Sequence, residues 1–174
     1  MTRYLRTEMV SLDQLTPFPG NARRGRVDVI KESIEKNGQY RSLIVREIKN
    51  GPQIVLAGNH TMTAISELGG TQARCEFIDC DDDTARRINL VDNRSNDLAE
   101  DDEQALALLL RDLEGDGAGT GYTDEEIAGY VGDLEAALAV EAPQAPEDFA
   151  EFDETIKTEH TCPKCGYHWS GGSK

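Results

Sequence analysis

The change of period across Gly58 constrains this chain more than any other feature. Gln53-Ile54-Val55-Leu56 is an apolar, β-branched run of strand length. After Ala57-Gly58 the apolar residues become Met62, Ile65 and Leu68, with Ala64 between, spaced as on one face of a helix, and the pattern stops at Gly69-Gly70. A strand that passes into a helix through one glycine lays that helix on a sheet, so the fold class is mixed α+β. Upstream, Leu43-Ile44-Val45 is a second strand-like run, and Lys49-Asn50-Gly51-Pro52 reads as the turn that makes the two runs a hairpin.

The flanking sequence fits this frame. Met9-Val10-Ser11-Leu12 reads as a short strand, ended by the Pro17, Pro19, Gly20, Asn21 cluster. Val27, Ile30 and Ile34 recur at helical spacing before a stop at Asn37-Gly38, and Arg74 to Ile78 reads as a strand. Asp81-Asp82-Asp83 puts negative charge at the start of a helix carrying Ile88 and Val91 and running to about Asn93. Leu106, Leu109, Leu110 and Leu113 follow the i, i+3, i+4, i+7 rule and predict the clearest amphipathic helix in the sequence. Gly115 to Gly121 breaks it. Thr123 followed by Glu126 has the reciprocal capping pattern, which predicts a last helix from Asp124 to about Ala139. The expected organisation is a first domain over 1–95, a helical extension over 96–139, an acidic flexible linker over 140–159 and a cysteine-bearing tail over 160–174.

Charge limits the function classes. The net charge is −15, but residues 1–50 carry ten Lys and Arg against six Asp and Glu, whereas residues 101–174 carry four against eighteen. Tight non-specific binding to nucleic acid needs many cations facing phosphates, so the acidic half opposes it, and any anion site is local and N-terminal. The longest apolar run, Leu106 to Leu110, is far short of a membrane span, and the N-terminus carries Arg3, Arg6 and Glu8 rather than a leader; a soluble, cytoplasmic protein with no membrane contact is expected.

The segment Gly58-Asn59-His60-Thr61 is the candidate phosphate site. At a helix start that follows a strand, free backbone N–H groups and the positive helix end aim at an anion. Gly58 lets a ligand reach the backbone, Thr61 and Thr63 add hydroxyls, and His60 can donate to phosphate or act as acid or base. The plainer alternative is that Asn59 caps the helix and His60 bonds locally.

These segments occur in a familiar order. Pro19-Gly20-Asn21-Ala22-Arg23, the helix ending Asn37-Gly38-Gln39, the strand Leu43 to Arg46, Val55-Leu56-Ala57-Gly58-Asn59-His60 and Val91-Asp92-Asn93-Arg94 together resemble the ParB-like N-terminal (ParB-like nuclease) domain of the ParB/sulfiredoxin superfamily. Asp92-Asn93-Arg94 followed by Leu98-Ala99-Glu100-Asp101-Asp102-Glu103 is most similar to the branch associated with phages, mobile elements and DNA methylases. The resemblance implies a small mixed sheet with packed helices and a nucleotide site of the CTP or ATP class with Mg²⁺. It places Gly58, Asn59, His60 and Thr61 at the phosphates, with Thr63 and Arg94 beside them. It further implies a first-loop arginine at Arg23, and Asp92 with Asn93 near phosphate and metal. If the site is catalytic, His60 and Asp92 are the implied groups, for a nuclease, nucleotide hydrolase or phosphotransferase. Sulfiredoxin chemistry is excluded, because the nucleophilic cysteine before the histidine is Asn59 here and no other side chain replaces a thiolate. Partition proteins of this family continue into a DNA-reading helix-turn-helix. Tyr122 to Ala128 resembles its first helix, but Gly132-Asp133-Leu134-Glu135 leads into alanines and acids with no basic recognition helix, so DNA or a DNA-processing protein is an indirect partner.

Cys162-Pro163-Lys164-Cys165-Gly166 has the tight turn of a zinc knuckle. Zinc wants four ligands; His160 and His168 are candidates for the others, Cys75 and Cys80 are alternatives from the body of the chain, and a second chain in a homodimer is a further source. The leading functional expectation is a nucleotide-dependent switch or accessory protein in DNA metabolism, phage or mobile-element encoded. An enzyme using the same pocket, and a partner-binding adaptor built on the acidic linker and knuckle, are the alternatives.

Overall fold

In a computed structural model of the chain, residues 1–141 and 158–171 are described. The chain forms two compact units, Met1–Val140 and Glu141–Lys174. The first holds β1 (Arg3–Ser11), a 3-10 turn (Leu12–Gln14), β2 (Leu15–Pro17), α1 (Val27–Asn37), β3 (Leu43–Arg46), β4 (Gln53–Ala57), α2 (Asn59–Glu67), β5 (Gln72–Asp79), α3 (Asp82–Asp97), α4 (Glu103–Arg111) and α5 (Asp124–Glu141, its last residue beyond the boundary). The second holds a two-stranded hairpin, β6 (His160–Thr161) and β7 (His168–Trp169). Most of the expected acidic linker lies outside the described residues.

The five strands of the first unit form one mixed sheet in the order β1-β5-β3-β4-β2. β3 and β4 are the expected antiparallel hairpin, and Asn50 in its turn has φ 58. β5 runs parallel to β3 and antiparallel to β1. Alternation along the strands builds two apolar faces. Leu43, Val45, Val55, Ala73, Cys75 and Phe77 point to one, packed with Ile34 of α1 and Met62 and Ile65 of α2. Leu56 and Ile78 point to the other, packed with Ala85 and Ile88 of α3. The mixed sheet is thus covered by helices on both faces, which buries both of its apolar sides.

Three sequence expectations are corrected. The first strand extends over Arg3–Ser11 rather than starting at Met9, because it is an edge strand paired only to β5; its outward residues, such as Tyr4 and Met9, are exposed and leave no clean apolar signal. The second is β2, which the sequence pattern does not announce: three residues ending in Pro17 pair in parallel with β4 at the other edge, where proline is tolerated. The third is the extent of the leucine helix, which ends at Arg111, before Leu113. α4 buries Ala107 and Leu110, while Leu109 is 69% exposed and Leu113, beyond the helix end at Arg111, is 40% exposed. Helical spacing identifies a face but not how much of it a neighbour covers.

Local capping follows the sequence closely. Asp81 accepts the Thr84 N–H at 2.7 Å at the start of α3. At α5, Thr123 Oγ1 accepts the Glu126 N–H at 3.2 Å, and Glu126 Oε2 accepts the Thr123 N–H at 2.8 Å. α3 runs to Asp97, one turn past the expected end, and this added turn reaches the site described next. Among the described residues no helix is long and apolar enough to cross a membrane.

Candidate functional site

β4 delivers Gly58 to the edge of a cleft of about 250 Å³ between the start of α2, the loop before α1 and the last turns of α3. Gly58 sits at φ 90, ψ 21, in the left-handed region, and a Cβ there would stand 2.7 Å from Leu43 Cδ2, whose residue is fully buried. Glycine is therefore required by both conformation and space. The first hydrogen bond of the α2 ladder is Met62 N–H to Gly58 C=O at 2.9 Å, and no side chain caps the helix. The amides of Asn59, His60 and Thr61 are the ones a helix start leaves without intrahelical partners, and their residues line the cleft.

Asn59 is a clip. Its Oδ1 accepts the Phe18 N–H at 2.9 Å, and its Nδ2 donates to the Val55 carbonyl at 3.1 Å, tying the first loop to β4. His60 holds the same loop further along: Nε2 accepts the Gly25 N–H at 3.0 Å, and a Cβ on Gly25 would lie 2.9 Å from the imidazole ring. With Nε2 an acceptor, the neutral ring carries its proton on Nδ1.

Two arginines stand at the rim, each paired with α3. Arg23 Nη1 donates to Asp97 Oδ1 at 2.5 Å and to the Asn93 carbonyl at 3.2 Å. Arg41 Nη2 donates to Asp92 Oδ1 at 2.9 Å. Behind them Asn89, 6% exposed, donates from Nδ2 to the Leu56 carbonyl at 2.9 Å, and Asn93 donates from Nδ2 to the Asn89 carbonyl at 2.8 Å. The first loop, β4–α2 and the end of α3 are thus joined around one polar hollow.

Of the residues singled out in the sequence, Arg23, Gly58, Asn59, His60, Thr61, Asp92 and Asn93 all line this cleft. Thr63 and Arg94 do not: the Thr63 hydroxyl donates to the Asn59 carbonyl at 3.2 Å within the helix, and Arg94 is exposed. Sequence reasoning missed Arg41, Asn89 and Asn96 as lining residues. Asn89 and Asn96 lie at i−4 and i+3 from Asn93, so helical spacing alone could have flagged them. Arg41 carried no such signal.

The cysteine-bearing hairpin lies in the second unit. Among the described residues no three His, Cys, Asp or Glu side chains are grouped closely enough to hold a metal, so His160 and His168 are not gathered with the two cysteines as expected. His168 Nδ1 instead hydrogen-bonds with Thr161 Oγ1 at 3.0 Å, and the His160 ring packs on Trp169 with centroids 5.5 Å apart.

The site is thus a mixed sheet that opens through a left-handed glycine into an uncapped helix start, faced by a first-loop arginine. Residues 3–94 match the ParB N-terminal domain, and the chain belongs to that family. The truncated chromosome-partitioning protein ParB from Caulobacter crescentus, solved with CTP-γ-S, is similar in structure at a TM-score of 0.62 and 16% identity, covering 78% of this chain and 85% of that one. The same ParB complexed to the centromeric parS site gives 0.43 and 19%, covering 76% and 68%. Sulfiredoxin from Arabidopsis thaliana gives 0.42 and 21%, covering 48% and 97%. At these identities the likeness is one of fold. Among curated proteins no relative matches the chain.

Proposed function

We propose that this chain is a nucleotide-responsive switch in DNA metabolism, taking the phosphates of a CTP- or ATP-class nucleotide in the β4–α2 cleft. One observation carries the reading: both rim arginines, Arg23 and Arg41, are engaged by carboxylates of the last turns of α3, beside amides that an uncapped helix start leaves free. A phosphate group is a bidentate, doubly charged competitor for those guanidiniums. On entering, it displaces Asp97 and Asp92 and releases the end of α3 from the first loop, so ligand binding changes how the following helices are held. The CTP-γ-S complex of the Caulobacter crescentus ParB supports a nucleotide in this fold.

The residues fit a magnesium ion in a limited way. Asp92, once Arg41 turns to phosphate, offers one hard carboxylate, and Mg²⁺ usually takes one or two carboxylates with phosphate oxygens and water. Asp92 would hold such an ion, which would neutralise phosphate charge, while the arginines would orient the phosphates. A nuclease or phosphotransferase in this cleft would need His60 as a free acid or base, and its Nε2 is occupied by Gly25, so binding is the reading the geometry favours. DNA enters through a partner, given the acidic second half, and the phage or mobile-element setting implied by Asp92-Asn93-Arg94 belongs to the same reading.

The test is a thermal-shift and calorimetric screen of CTP and ATP with and without Mg²⁺. A nucleotide at a hundredfold excess over Kd stabilises the native state by about 2.7 kcal/mol. The Arg23→Ala, Arg41→Ala double variant, altered only at exposed positions, keeps its fold and binds at least about tenfold more weakly, since hydrogen bonds to charged groups are worth about 1.5–3 kcal/mol. No shift with either nucleotide, or equal shifts in the double variant, would overturn the proposal.

A further inference from the structure

Among the described residues, the β6–β7 hairpin is the chemically distinctive part that the cleft does not use. Its ladder continues into the turn: the Cys162 N–H donates to the Tyr167 carbonyl at 2.8 Å, and the Gly166 N–H to the Cys162 carbonyl at 2.9 Å. Gly166 closes the turn at φ 75, which a side chain would oppose. Cys162 and Cys165 are thus the two ends of one tight turn, held by the same hydrogen-bonded hairpin. Both thiols are free and neither is buried. Two free cysteines spanning one hydrogen-bonded turn, neither of them buried, offer a two-point chelate for a thiophilic, tetrahedral ion.

What completes the site follows from the remaining ligands. The chain has four cysteines and three histidines. Cys75 and Cys80 are buried in the first unit, and burial raises both thiols, Cys75 to about 11, so neither ionises readily. His60 belongs to the nucleotide cleft. His168 sits on the hairpin face with Thr161, opposite Cys162 by strand alternation, and is bonded to that threonine. His160 shares a face with Cys162, but its ring is packed on Trp169.

We propose that Cys162 and Cys165 of two copies of this chain bind a single zinc ion as a tetrahedral four-thiolate site, making the chain a zinc-linked homodimer. Each thiol gives its proton to solvent on binding, four per ion, and Zn²⁺ undergoes no redox change. The surface around the turn suits a facing copy: Tyr167 and Trp169 are 69% and 41% exposed and stack at 6.5 Å, a small apolar platform that a symmetric partner covers. The site is independent of nucleotide binding.

The full chain, metal-free and reduced, is titrated with Co²⁺ as a spectroscopic stand-in and then with Zn²⁺, while light scattering follows its mass. The expected result is one ion per two chains, with the thiolate-to-cobalt absorption of four sulfurs. Zinc displaces the cobalt, and a chelator removes it. Cys162→Ser and Cys165→Ser each abolish the signal, whereas His160→Ala and His168→Ala retain it. The number of ions per chain and the strength of the absorption decide the matter whatever the mass of the metal-free protein. One ion per chain, loss of the signal in either histidine variant, or no absorption at all overturns the proposal.

Discussion

Replacing Asn59 by alanine separates a structural clip from a ligand contact. The side chain closes two hydrogen bonds, accepting from Phe18 N–H at 2.9 Å and donating to Val55 C=O at 3.1 Å, both part-buried. Val55 itself is fully buried between β3 and β2. Truncation strands a backbone donor and a backbone acceptor, each costing about 1–3 kcal/mol when water cannot replace the lost partner. Water reaches the loop side of the cleft, so the lower part of that range applies to Phe18, and the total comes to about 2–4 kcal/mol. At about 4 °C per kcal/mol for a unit of this size, Asn59→Ala lowers the melting temperature by about 8–16 °C. Asn59→Asp keeps the acceptor for Phe18 and loses the donor to Val55, so it shows roughly half the loss. Thermal unfolding followed by far-ultraviolet circular dichroism measures both. If Asn59→Ala melts within about 2 °C of the parent while nucleotide affinity collapses, the amide acts on the ligand and the clip argument is refuted.

Two further outcomes follow from the charges. Asp97→Asn removes the native competitor for Arg23; an exposed pair contributes up to about 1 kcal/mol, so nucleotide affinity rises about two- to fivefold by calorimetry, and weaker binding would count against the displacement mechanism. In acid, Asp116 beside Lys36, Asp81 accepting from Thr84, Glu126 accepting from Thr123, and Asp28 beside Arg26 are all held below the ordinary carboxylate range, Asp28 at about 2. A depressed carboxylate contributes stability that is complete above its unfolded value, near 4, and is lost as pH falls through its folded value. The melting temperature should therefore hold above about pH 5 and decline from about pH 4 toward 2; a flat profile across that range would contradict these contacts.

Most local structure was legible because it is decided within a few residues. The β3–β4 hairpin, the helix that starts after Gly58, the Asp81 cap and the Thr123–Glu126 box each depend on neighbours in sequence. The candidate site was legible in the same measure. Gly58 to Thr61 and Asp92-Asn93 stood out by spacing and by family likeness, and all of them line one cleft.

What only the tertiary structure decided are the pairings between distant segments. β2 forms a strand because β4 offers it a parallel edge, not because Leu-Thr-Pro prefers one. Leu109 and Leu113 match a core pattern, yet stay exposed because α4 meets its neighbours through Ala107 and Leu110. Arg23 finds Asp97 seventy-four positions away, and Arg41 finds Asp92 fifty-one away, only because the sheet brings the first loop, the β3 entry and the end of α3 to one rim. Periodicity records which face of an element is apolar; which element covers that face, and which charges meet across the gap, depends on chain closure over long separations, which no local pattern encodes.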